Sequence, residues 1–116
     1  MNREKSPAGV EIEDTLIDRP AAPPVVYWDA LIELGRFDEA IAAGKKALRQ
    51  NPFYSGAYRC LASAFAHLGR DAEAREAAAR VLELDPAFTI SGWIARGGQS
   101  NAKLLIEGLR KAGLPE

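Results

Sequence analysis

Histidine and cysteine occur once each in these 116 residues, as His67 and Cys60. A single cysteine excludes an intramolecular disulfide and is compatible with a reducing compartment. A single imidazole, with no nearby cysteine or paired carboxylates, lacks the ligand count of a zinc site, so His67 is expected as a surface or groove histidine and no metal is implied. Cys60 has no assignable base to activate it, which leaves a small buried or half-buried thiol beside Leu61. The chain also lacks an excess of either charge: 15 basic and 16 acidic residues, mixed along its length, give a net charge of −1. That balance argues against a broad nucleic-acid surface or a polybasic membrane contact. No apolar run approaches the roughly 20 residues that span a bilayer, and Met1-Asn2-Arg3-Glu4-Lys5 has no hydrophobic stretch behind it to make a signal peptide. A cytoplasmic protein is therefore expected. The run Gly97-Gly98-Gln99-Ser100-Asn101 superficially suggests a phosphate cradle, but no strand precedes it and no Gly-Lys-Ser/Thr closes it, so it reads as a turn between helices. With no clustered catalytic set and no cofactor implied, an enzyme is not expected.

What is present is repetition. Leu34-Gly35-Arg36 returns as Leu68-Gly69-Arg70, and Glu39-Ala40 returns as Glu73-Ala74, in each case 34 residues later. Ala43 and Ala77, Leu48 and Leu82, and Pro52 and Pro86 continue the echo. A period of this length, with glycine at a turn, alanine on the following helix and proline at the end, marks a helical solenoid. One helix hairpin cannot bury its own apolar face, so each unit must stack on the next.

Residues 1–23 stand apart. Glu11, Glu13, Asp14 and Asp18 cluster there among Pro7, Pro20 and Pro23, and the segment reads as a mobile, disordered leader, with Val10-Glu11-Ile12-Glu13 the one place for a strand or a short binding motif. From Pro24 helical punctuation begins. Tyr27, Leu31 and Leu34 fall at i, i+4, i+7 on a helix ending near Gly35. Asp38 and Glu39 place negative charge at the start of the next helix, which carries Ala40, Ile41, Gly44, Ala47 and Leu48 inward and stops before Pro52. The following unit repeats this with Tyr58, Leu61, Ala62 and Phe65, then Gly69, then Ala74, Ala77, Ala78, Val81 and Leu82. Ala62 and Ala74 mark the close crossing within that hairpin. After Phe88 the repeat decays: Ser91–Arg96 makes a short helix, Gly97-Gly98 breaks it, and Ser100 or Asn101 caps a last helix carrying Leu104, Leu105, Ile106, Leu109 and Ala112. Gly113 stops that helix and Leu114 folds back on Leu109.

Residues 21–88, on these positions, resemble two tetratricopeptide repeats. The resemblance implies an all-α fold, a short right-handed solenoid of antiparallel helix hairpins with units at about 24–54 and 55–88 and capping helices at 89–114 that shield the last stacking face. Trp28, where the pattern wants a small residue, and the prolines at 23 and 24 depart from it. In this family the first helices of successive units line a concave groove. Carried over, the groove positions are Val25, Asp29, Ile32 and Glu33 in the first unit and Arg59, Ser63, Ala66 and His67 in the second. Chaperone-binding members hold a peptide carboxylate with Lys and Asn where Val25 and Asp29 stand here, which argues against that partner class.

The ending, Leu105-Ile106-Glu107-Gly108-Leu109-Arg110-Lys111-Ala112-Gly113-Leu114-Pro115-Glu116, with Trp93-Ile94-Ala95-Arg96 before it, is similar to the carboxyl terminus of alphaproteobacterial class III adenylate cyclases and related regulators. In those proteins tetratricopeptide repeats follow a cyclase or winged-helix domain. That likeness, over residues 34–116, implies a bacterial signalling context without cyclase activity. Two functional readings follow. One is an interaction module that takes a peptide or helix of a protein partner in its groove, with Asp29, Glu33, Arg59 and His67 giving polar specificity. The other is a homodimer through an open amino-terminal stacking face near Tyr27 and Trp28. Burial of Trp28 within the protomer would favour the first, and exposure the second.

Overall fold

Glycines set the turns of this fold. In the computed structural model, which describes residues 25–97 and 102–116, helix α1 (Val25–Glu33) is followed at Gly35 by a left-handed residue with φ +76°. The Gly35 and Arg36 amides return to the carbonyls of Ile32 and Leu31, which satisfies the last carbonyls of α1 and reverses the chain. Helix α2 (Phe37–Gln50) opens on Asp38 and Glu39 and runs back against α1. Helices α3 (Ser55–His67) and α4 (Asp71–Leu84) repeat the unit, again with φ +76° at the intervening glycine, Gly69.

The core is built from small residues at the crossings and large ones between them. Ala40, Ala47, Ala62, Ala74 and Val81 are buried, as the spacing predicts, and Leu48 and Leu82 are half-buried against them. A methyl group on Gly44 would lie 3.1 Å from Leu61 Cδ2, so hydrogen at this position lets α2 approach α3. Ala74 is 1% exposed; enlarging it to leucine would overpack the hairpin at a cost of about 1 to 3 kcal/mol.

Helix α1 is rotated from the face its spacing predicts. Tyr27 and Leu34 lie outward and exposed, while Trp28, Leu31 and Ile32 fill the core. Two apolar stripes overlap on this helix, and the bulkier Trp28–Ile32 pair takes the inside. Trp28 is fully buried and packs its ring 5.5 Å from that of Tyr54 at 60°. Of the two residues named for a possible dimer face, Trp28 therefore belongs to the protomer's own core and Tyr27 is open to solvent.

After α4 come helix α5 (Ile90–Ala95), capped by Thr89 through a 3.0 Å bond from the Gly92 amide, and helix α6 (Lys103–Lys111). Gly97 ends the short α5 with φ +110°. Gly113, at φ +96°, ends α6 with the Leu114 amide returning to Leu109 O, and Leu114 is buried. Pro115 and Glu116 then offer their carbonyls to the amides of Ile90 and Ser91, tying the tail to the start of α5. Among the described residues every regular element is helical. The leader at 1–23, the Val10–Glu13 alternation and the caps at Ser100 and Asn101 lie outside the described residues.

Candidate functional site: the concave face

The first helices of the two units, α1 and α3, face the same side, and that side is covered. Helix α6 lies across both, most extensively on α3. The sequence places residues 89–114 as an end cap. In the structure the final helix, α6, packs on α1 and α3 with its apolar stripe inward. Ala102, Leu105, Ile106, Leu109 and Ala112 are buried, while Lys103, Glu107, Arg110 and Lys111 point to solvent. This is the i, i+3, i+4, i+7 pattern of a helix docked on one face.

Three of the predicted groove residues, Glu33, Ser63 and His67, bond to α6. Glu33, at the end of α1, accepts a 2.8 Å bond from the Leu105 amide. That amide is one of the unpaired donors in the first turn of α6, and a carboxylate there is favoured by both hydrogen bonding and the helix dipole. Ala102 occupies the N-cap position and has no acceptor of its own, so Glu33 caps the helix from another element. Ser63, fully buried on α3, donates 3.0 Å to Leu105 O. His67 Nε2 lies 2.6 Å from Leu104 O, a geometry that requires the proton on Nε2, and its ring stacks on Phe37 at 4.8 Å and 11°. All three side chains bind backbone atoms of α6, and therefore recognise a helix's first turn rather than its side chains.

Gly108 is where the two helices touch. A Cβ added to it would collide with Ser63 Oγ and come 2.7 Å from Ser63 O and 2.8 Å from its Cα. No sequence expectation singled out this glycine. The available signal was its place amid the apolar stripe Leu105, Ile106, Leu109, where glycine weakens a helix unless a close approach requires it.

Of the remaining groove positions, Asp29 and Arg59 interact electrostatically, and the side chain of Val25 lies outside the described residues. Ile32 is fully buried and Ala66 nearly so. Asp29 is 5% exposed, and burial raises its pKa from 3.8 to about 6, with Arg59 opposing the shift and Glu33 adding to it. Burial likewise lowers the Arg59 pKa, with Asp29 supporting its charge, and the guanidinium lies 5.5 Å from the centre of the Trp93 ring on α5. Arg59 is thus engaged between α1 and α5 rather than presented outward. Cys60 is buried 3.5 Å from Ala40 O, and burial pushes its thiol to about 12, well outside the range of a nucleophile. Among the described residues, no group of three or more His, Cys, Asp or Glu side chains is placed to hold a metal ion.

A family model described as tetratricopeptide repeat matches residues 29–87, just over half of the chain. The chain belongs to the tetratricopeptide repeat family. No curated protein and no solved structure matched it. The match ends at residue 87, so α5 and α6 lie beyond it, and the segment that covers the concave face is the part the family pattern does not describe. Tetratricopeptide repeats generally mediate protein–protein interaction and are typically non-catalytic, and the two units here have the paired first helices on which such binding is built.

Proposed function

We propose that this protein is a non-catalytic interaction module whose concave face, formed by α1 and α3, receives one helix of a protein partner. The observation that carries the reading is the seat itself: Glu33, Ser63 and His67 each bond the backbone of a helix lying there. Surfaces that recognise a helix through its apolar stripe use anchors at i, i+3, i+4 and i+7, the spacing this face accommodates. Asp29, Ile32 and Arg59 complete the proposed face, and a role in bacterial signalling is part of the same proposal, on the resemblance read in residues 34–116. Among the described residues no helix is long and apolar enough to cross a membrane.

The second reading, a homodimer, rests on α1. Tyr27, on that helix, and Leu34, in the turn just past its end, are 47% and 68% exposed. A photoreactive residue distinguishes the two. Placed at Leu68, beside His67, it should give an adduct with a different protein in a bacterial lysate, whereas at Leu34 a self-adduct would indicate the dimer. An adduct from neither position would overturn both.

A further inference from the structure

Helix α6 occupies the surface on which the proposed function depends. We propose that α6 is a displaceable internal occupant, and that the partner segment is an amphipathic helix of the same chemistry: four apolar residues at the spacing of Leu105, Ile106, Leu109 and Ala112, with glycine at the place of Gly108. The inference rests on the concave-face reading and goes further by stating what the partner looks like and what it must remove.

Three features carry it. The seat reads backbone, not side chains: Glu33 takes the Leu105 amide, and Ser63 and His67 reach the carbonyls of Leu105 and Leu104, so any helix beginning at that point can make the same bonds. The selective element is steric, because Ser63 leaves no room for a Cβ at the crossing. The occupant also lies outside the two matched repeats. Its first turn is capped by α1 instead of by its own flanking residue. An occupant in the same chain lowers the apparent affinity for a partner by the fraction of molecules with the face open. Weakening α6 in place should therefore strengthen partner binding, which is the reverse of what damage to a binding surface does.

The probe is a fluorescently labelled synthetic peptide of residues 102–116, titrated into the full chain and followed by polarisation. Gly108→Ala in the chain is expected to tighten binding of the unaltered peptide about tenfold or more, and Gly108→Ala in the peptide to weaken its binding to either chain by a similar factor. On the unaltered chain, whose folding is not in question, saturating peptide should speed hydrogen exchange of the chain's own amides at 103–111 while leaving α4 protected. Unchanged exchange under saturating peptide would overturn the inference, as would equal affinity for the two peptides. A Gly108→Ala chain that doubles its molar mass and ignores the peptide would also overturn it, in favour of α6 exchanged between two copies. If displacement fails while the Leu68 adduct forms, the interaction reading stands and only the occupant reading falls.

Discussion

The two turns that close the first helices of the repeats are near copies, and the third is not. Gly35 and Gly69 share φ +76°, and each is followed by an arginine whose amide returns to a carbonyl five residues back, on Leu31 at 2.8 Å and on Phe65 at 2.9 Å. Arg36 and Arg70 each grip a glutamate three residues on, Glu39 and Glu73, through two bonds. These pairs are half-exposed and contribute less than about 1 kcal/mol each, so their recurrence reports shared geometry more than stability. One further period would put the third turn at Lys103. The chain instead breaks at Gly97, after a helix of only six residues. Repetition builds the concave face, and its early failure releases the segment that returns to cover it.

The comparison breaks most severely at Trp28, the residue the repeat pattern would have small. It is fully buried against Tyr54, and its Nε1 has no hydrogen-bond partner. Trp28→Ala should cost about 3 to 5 kcal/mol by opening a cavity in the first unit. Trp28→Phe should cost much less, because it also removes an unsatisfied donor. Denaturant unfolding measures both. The dimer reading makes a different demand, that replacing the exposed Tyr27 and Leu34 by alanine lower the molar mass, and light scattering decides it.

The repeats were legible because their signals are local. Glycine at φ +76°, acidic first turns and alanine at crossings act within one hairpin, and the sequence carries them twice. The face of α1 was misjudged at Tyr27 and Leu34 because two apolar stripes share that helix and spacing alone cannot rank them. Most of the residues read as a groove lie on the face that α6 covers, three of them bonded to its backbone. Asp29, Glu33, Arg59, Ser63 and His67 read as open polar positions because nothing local to them reports α6, which arrives from as far as 72 residues away in the bond between Leu105 and Glu33. The missing cap at Ala102 and the glycine within the stripe were the signs of such a docking, and both become informative only once a long-range partner is supposed.

Asp29 sharpens the contrast between floor and rim. Its folded pKa of about 6 lies above its ordinary 3.8, so the folded state binds the proton more tightly than the unfolded chain. Stability from this group is full below pH 3.8 and is lost as pH rises through about 6, with Arg59 and Glu33 the charges facing it. The loss is on the order of 1 to 3 kcal/mol. Other groups add their own slopes, so the measurement is the difference between the unaltered chain and Asp29→Asn from pH 4 to 7. The variant should lack the decline, and equal slopes would mean the Arg59 guanidinium holds Asp29 charged throughout.

The smallest effect expected is at Glu33, and it tests where α6 is fastened. Its carboxylate accepts from the Leu105 amide at 2.8 Å, reaching the first turn of the helix from another element. Glu33→Ala removes a capping bond, worth about 0.5 to 2 kcal/mol. Glu33→Gln keeps an acceptor and loses the charge, for about 0.3 to 1 kcal/mol. If α6 were an ordinary part of the core, that loss would spread evenly over global unfolding. A helix that leaves the face as a unit behaves differently: amides at 103–111 should exchange faster in Glu33→Ala by a factor of about 2 to 30, while those of α3 and α4 change only with global stability. Equal acceleration in all three helices would mean that α6 opens only when the repeats unfold, and that the face it covers is closed to any competitor.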